Sequence, residues 1–88
     1  MKTFEYTIRD AAGVHARPAG LLVNKAKSLG CNVTIEKDGK KASASRLFAV
    51  MGLGILCGDT VRITVEADNA EAEETAVREL HEFFEANL

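Results

Sequence analysis

Tryptophan is absent from the 88 residues, and there are only one tyrosine, one proline and two cysteines. Cys31 and Cys57 lie far apart and form no CxxC, which excludes a disulfide framework, a thiol-redox motif and a zinc knuckle. Both thiols are expected to be buried and reduced. Long apolar runs are missing too. The longest uncharged stretch, Leu47 to Gly58, falls short of the roughly 18 residues a membrane span needs and is broken by Gly52 and Gly54. After Met1-Lys2 no apolar leader segment follows, so a cytoplasmic location without membrane insertion is expected. What is present, 47% hydrophobic and 27% charged residues, is the balance of an ordinary globular protein. A chain this short has room for one hydrophobic core, so residues 1–88 are read as a single domain with no deep cofactor cavity.

Charge is unevenly spread. Residues 1–65 carry ten basic and five acidic side chains, and residues 66–88 carry one and eight, for a net charge of −2. No carboxylate occurs between Asp10 and Glu36 or between Asp38 and Asp59, and Arg17, Lys25, Lys27, Lys40, Lys41 and Arg46 all fall in those gaps. A surface built from them attracts anions.

The periodicity changes along the chain. Phe4, Tyr6 and Ile8 alternate with Thr3, Glu5 and Thr7, the mark of a half-buried strand. From Ala16 to Leu29 the spacing becomes helical, with Ala19, Leu22, Ala26 and Leu29 on one stripe, Pro18 tolerated in the first turn and Gly30 as terminator. Cys31 to Ala44 reads as a hairpin turning at Asp38-Gly39. Folding there pairs Ile35 with Ala42, Val33 with Ala44, Thr34 with Ser43 and Glu36 with Lys41, so like meets like on each face. Ser43 or Ser45 is expected to cap a short helix reaching about Leu53. Thr60 to Ala67 alternates again, with Val61, Ile63 and Val65 inward. Asp68-Asn69, followed by Glu71, Glu73 and Glu74, starts a last helix whose core face is Ala76, Val77, Leu80 and Phe84. The succession β-α-β-β-α-β-α implies an α+β domain with helices on one face of a sheet, but it does not fix strand order, because ferredoxin-like domains begin the same way.

The chemistry concentrates at Gly13-Val14-His15-Ala16-Arg17-Pro18, a loop that delivers a histidine to a helix start. The first N–H groups of a helix lack intrahelical partners and bind phosphate-like anions. No acid occupies this first turn, and Arg17 adds a guanidinium to the amides of Ala16 and Arg17. Imidazoles ordinarily titrate near pH 6.5, and a positive helix end favours the neutral ring, whose free nitrogen can attack phosphorus. His81, among Glu79, Glu82 and Glu85, is read as a solvated residue, and no cluster suggests a metal site. In the short second helix, Leu47, Phe48 and Met51 exceed what one buried face holds once Val50 and Leu53 point inward. Some are therefore exposed and suited to docking a partner. Gly20 costs the first helix about 1 kcal/mol relative to alanine, and close packing is the expected reason.

GVHARPAG at 13–20 and SRLFAVMGLGI at 45–55 resemble the HPr family, the histidine phosphocarriers of the bacterial sugar phosphotransferase system, and the match spans the whole chain without a gap. The resemblance implies an open-faced β-sandwich with an antiparallel sheet of order 1-4-2-3 and three helices on one side. It implies that His15 accepts a phosphoryl group from enzyme I, charged by phosphoenolpyruvate, and passes it to enzyme IIA components. Arg17 then steadies the group, and Gly20, Leu47, Phe48 and Met51 form the docking surface. Such a protein is a carrier rather than an enzyme, needs no cofactor, binds no nucleic acid and is expected to be a monomer. An HPr kinase/phosphorylase and transcription regulators are further partners that the resemblance suggests. One departure stands out. Many members have a serine that this kinase phosphorylates at the start of the second helix, and here that position is Arg46, with Ser45 and Ser43 as neighbours. Two rival readings remain: a regulatory paralogue contributing little to sugar flux, and a ferredoxin-like ligand- or metal-binding module.

Overall fold

Each alternating or helical stretch of sequence becomes one element in the computed structural model, which describes residues 1–88. In chain order these are β1 (Lys2–Thr7), α1 (Ala16–Leu29), β2 (Asn32–Lys37), β3 (Lys40–Ser43), α2 (Leu47–Met51), β4 (Thr60–Glu66) and α3 (Ala70–Asn87). The four strands form one sheet of order β1-β4-β2-β3, and every neighbouring pair is antiparallel. Thr3, Glu5, Thr7, Thr60 and Arg62 leave one sheet face open to water, whereas Tyr6, Val33, Ile35, Val61, Ile63 and Val65 are buried beneath the helices. This is the open-faced α+β sandwich, and the strand order excludes a ferredoxin-like sheet, in which strands 1 and 3 flank each other at the centre.

The hairpin register follows the turn chemistry. Asp38 and Gly39 both adopt positive φ, 51° and 81°, which a two-residue type I′ turn requires. The turn sets Thr34 opposite Ser43, Ile35 opposite Ala42 and Glu36 opposite Lys41. The Ala44 N–H donates to the Val33 carbonyl at 2.8 Å, which continues the expected register. Helix α1 ends at Gly30 in the left-handed region (φ 68°), and α3 begins at Asn69, whose side chain accepts the Ala72 N–H at 2.8 Å. The core is filled by Ile8, Leu22, Ile35, Val50, Ile63, Leu80 and Phe84, with Tyr6 meeting the Phe84 ring edge-on at 5.3 Å.

Three expectations are corrected. Helix α2 stops at Met51, not Leu53, and Arg46 rather than a serine occupies its N-cap. Ser43 and Ser45 bond each other at 2.8 Å, and the Ser45 N–H donates to Ser43 Oγ, so the two hydroxyls hold the exit from the hairpin instead of capping the helix. Cys57 is exposed because it sits at the tip of the turn before β4; Cys31 is half-buried, and both are free thiols.

Three carboxylates are held below their ordinary values. The N-terminal ammonium bonds the buried Glu73 at 2.8 Å, and the Ala67 N–H adds a second bond to it. Lys37 and the Leu56 N–H do the same for Asp59, and Lys25 for Glu79. In each case the unfolded carboxylate binds a proton more readily than the folded one. The stability these pairs supply is therefore complete above ordinary carboxylate values of 3.8 and 4.5, and it is lost as pH falls through the lower folded values. Thermal melts should be flat from neutrality to about pH 5 and drop steadily below about pH 4, with a shallower drop in Glu73→Gln. A melting temperature that rose on acidification would contradict this.

Candidate functional site

Between β1 and α1 the chain runs through a loop whose own polar groups fix it. The N–H groups of Arg9 and Asp10 donate to the Leu88 carbonyl oxygen at 2.6 and 2.8 Å. Asp10 Oδ1 accepts the Ala12 N–H at 2.8 Å, and the Asp10 carbonyl accepts the Gly13 N–H at 2.9 Å, which closes an Asx turn. The Val14 N–H then donates to the Ile55 carbonyl at 3.0 Å, seating Val14 in the core. Gly13 lies against the 55–56 backbone with φ 70°. The loop is thus tied to the C-terminus of the chain and to the segment before β4, and it delivers His15 at a fixed point.

His15 is the N-cap of α1 in extended conformation (φ −87°, ψ −174°), and its carbonyl accepts the Ala19 N–H at 2.9 Å. The imidazole itself caps nothing and is 44% exposed. Neither Ala16 nor Arg17 donates its N–H within the chain, Pro18 has none, and no acid occupies the first turn. Arg17 is exposed and unpaired. His15, Arg17, Pro18, Leu21, Asp10 and Asn87 line a shallow depression of about 260 Å³. An accessible imidazole and a free guanidinium thus share one open recess, and the two free amides at the start of α1 adjoin them along the chain, an arrangement that can receive a dianion and present a nitrogen to it. One participant was not anticipated. Asp10 Oδ1 stands 4.0 Å from His15 Nε2, because the Asx turn curls the loop back on itself. The sequence signal was the Asp-Ala-Ala-Gly turn just before the histidine.

The apolar residues of the second segment divide. Phe48 is 83% exposed and Met51 36%, whereas Leu47 is half-buried against the core and Val50 fully buried. Sequence reasoning missed Leu56, 62% exposed, and Leu21, 42% exposed, since neither belongs to an over-full helix face. Helix α2 packs on α1, so this patch adjoins the His15 helix. Gly20 also needs correction: a Cβ there would meet nothing within 4 Å, so intramolecular packing does not explain the glycine. His81 is not merely solvated. Its ring lies edge-on to Phe4 at 5.5 Å and to Tyr6 at 6.1 Å, and its Nδ1 faces Glu85 at 3.3 Å. No helix is long and apolar enough to cross a membrane.

Comparison with known proteins converges on one group. Residues 2–86 match the family model described as PTS HPr component phosphorylation site. The phosphocarrier protein HPr of Borreliella burgdorferi is 36% identical over 80 residues, covering 91% of this chain and 93% of that one. Among solved structures, HPr-C-His from Thermoanaerobacter tengcongensis superposes with a TM-score of 0.89 at 34% identity, covering 99% of this chain and 94% of that one. A phosphocarrier protein HPr from Bacillus anthracis gives 0.84 at 30% identity, covering 94% and 95%.

Proposed function

Because the chain belongs to the HPr family and is a phosphocarrier of the sugar phosphotransferase system, not an enzyme, we propose that His15 is the residue that carries the phosphoryl group. The observation that bears this reading is the recess itself: an exposed imidazole beside the unpaired amides of Ala16 and Arg17 and the unpaired Arg17 guanidinium. An attacking ring nitrogen forms its bond to phosphorus while phosphoryl oxygens take up the amide and guanidinium donors. The cradle is open to water and offers few donors, so it holds the group without trapping it, as onward transfer requires.

The family's partners are the other components of the phosphotransferase system. In this reading enzyme I supplies the phosphoryl group, and enzyme IIA proteins receive it in the cytoplasm. Phe48 and Met51, with the half-buried Leu47, form the apolar anchor for both, Leu56 and Leu21 extend it, and Gly20 leaves room on α1 for close approach. The protein acts as a single-domain monomer. Arg46 at the N-cap of α2 carries a fixed positive charge that favours acidic partners and leaves no hydroxyl at that position for a kinase. Ser45 is occupied with Ser43, which argues against a substitute phosphorylation site.

Arg17→Ala tests the cradle. The side chain is exposed and bonds nothing, so the melting temperature should be unchanged. Transfer from enzyme I should slow by about one to two decades, through loss of roughly 1.5–3 kcal/mol of charge-assisted bonding. An unaltered transfer rate would remove Arg17 from the site. Incubation with enzyme I and phosphoenolpyruvate, followed by mass spectrometry, tests the acceptor.

A further inference from the structure

We propose that Asp10 is a positioning residue for His15, selecting which ring nitrogen is presented to phosphorus. The inference rests on the assignment of His15 as the phosphoryl acceptor. A neutral imidazole has one N–H and one lone pair, and the partner facing one nitrogen decides where the proton sits. Here the nitrogen facing a carboxylate is Nε2, 4.0 Å from Asp10 Oδ1. Such a distance is an ion-pair separation rather than a hydrogen bond, and contacts of this kind commonly shorten once substrate is bound. The carboxylate is not free to drift. Its Oδ1 is held by the Ala12 N–H at 2.8 Å, and the Asp10 main chain is pinned on both sides by Leu88 and Gly13. The other charged group lining the recess is Arg17, a cation that offers Nε2 no acceptor.

Holding the proton on Nε2 leaves the Nδ1 lone pair available. As that pair forms the Nδ1–P bond, the bond from phosphorus to the atom that carries it on the donor protein breaks, and its electrons return to that donor atom. The Nε2 proton stays in place, so the ring acquires positive charge, and the Asp10 carboxylate on its far edge offsets it. When the group moves on to an acceptor the sequence reverses, and the ring returns to its neutral Nε2–H form without a proton exchange with water.

Asp10→Asn separates this role from a structural one, because asparagine keeps the Oδ1 acceptor for the Ala12 N–H and loses only the charge. In ¹⁵N spectra of the neutral ring, the native protein should hold predominantly the Nε2–H tautomer, and the variant should move at least twofold toward an even mixture. Transfer from enzyme I should fall about two- to fivefold, the range of an exposed ion pair, with the melting temperature unchanged. If either the tautomer ratio or the transfer rate is the same in the two proteins, Asp10 does not position the ring. Phosphoryl uptake by His15→Ala would instead overturn the acceptor assignment, an outcome distinguishable from normal native uptake with an indifferent Asp10→Asn.

Discussion

Replacing His15 with alanine should abolish any uptake of acid-labile, base-stable phosphate on incubation with enzyme I and phosphoenolpyruvate, and should do so without disturbing the fold. Both halves of this expectation come from the same geometry. The imidazole is 44% exposed and contributes no capping bond, so its removal forfeits neither a buried contact nor a helix cap. The extended N-cap backbone and the His15 carbonyl, which accepts the Ala19 N–H, remain in the variant. No other histidine can replace it. The only other imidazole, His81, is packed edge-on against Phe4 and Tyr6 with Glu85 at its Nδ1, in a helix whose acids repel a phosphoryl dianion. Intact-mass measurement in both proteins, alongside thermal melts, gives the answer. Residual uptake in the variant would place the acceptor elsewhere.

What could be read from the sequence was whatever depends on neighbours along the chain. Helix α1 covers Ala16–Leu29 because its apolar stripe, Pro18 and Gly30 all specify the same boundaries. The hairpin register followed from Asp38-Gly39, since a two-residue turn fixes every pair beyond it. The recess at His15 was legible for the same reason: unpaired amides at a helix start and an arginine two residues on are local facts. Strand order was not. Alternation decides which face of a strand is buried but not which strand lies beside it, so the pairing of β1 with β4, Phe4 opposite Ile63, needed the family resemblance. The misread details involve contacts between segments distant in sequence, or space that only the fold defines. The packing of His81 on β1, the open space around Gly20 and the exposure of Cys57 are of this kind. Asp10 was missed differently: along the sequence it marks only the edge of an acid-free stretch, and it is the turn it begins that folds its carboxylate back toward His15.

Gly13→Ala should be among the most destabilising single substitutions in this chain, although it adds only one methyl group. A Cβ at this position would lie 2.4 Å from the Ile55 carbonyl oxygen and 2.9 Å from Leu56 Cα, both of them backbone atoms that no rotamer change can move. The main chain there has φ 70°, a left-handed conformation that costs an alanine about 1–2 kcal/mol before any collision is counted. Relief requires the two loops to part. That breaks the 3.0 Å bond from the Val14 N–H to the same Ile55 carbonyl, worth about 1 kcal/mol, and loosens Val14 and Ile55 in the core. The total is about 3 kcal/mol or more, which for a domain of this size lowers the melting temperature by roughly 12–25 °C. Gly20 supplies the control, since it lies in α1 with nothing within 4 Å of an added Cβ, and alanine there should not lower the melting temperature. Because the Gly13 contact also sets where the chain enters α1, the Gly13 variant should lose phosphoryl transfer even at temperatures where it remains folded. A Gly13→Ala protein that melted and transferred like the native one would mean that the loop does not depend on this approach to hold His15 in place.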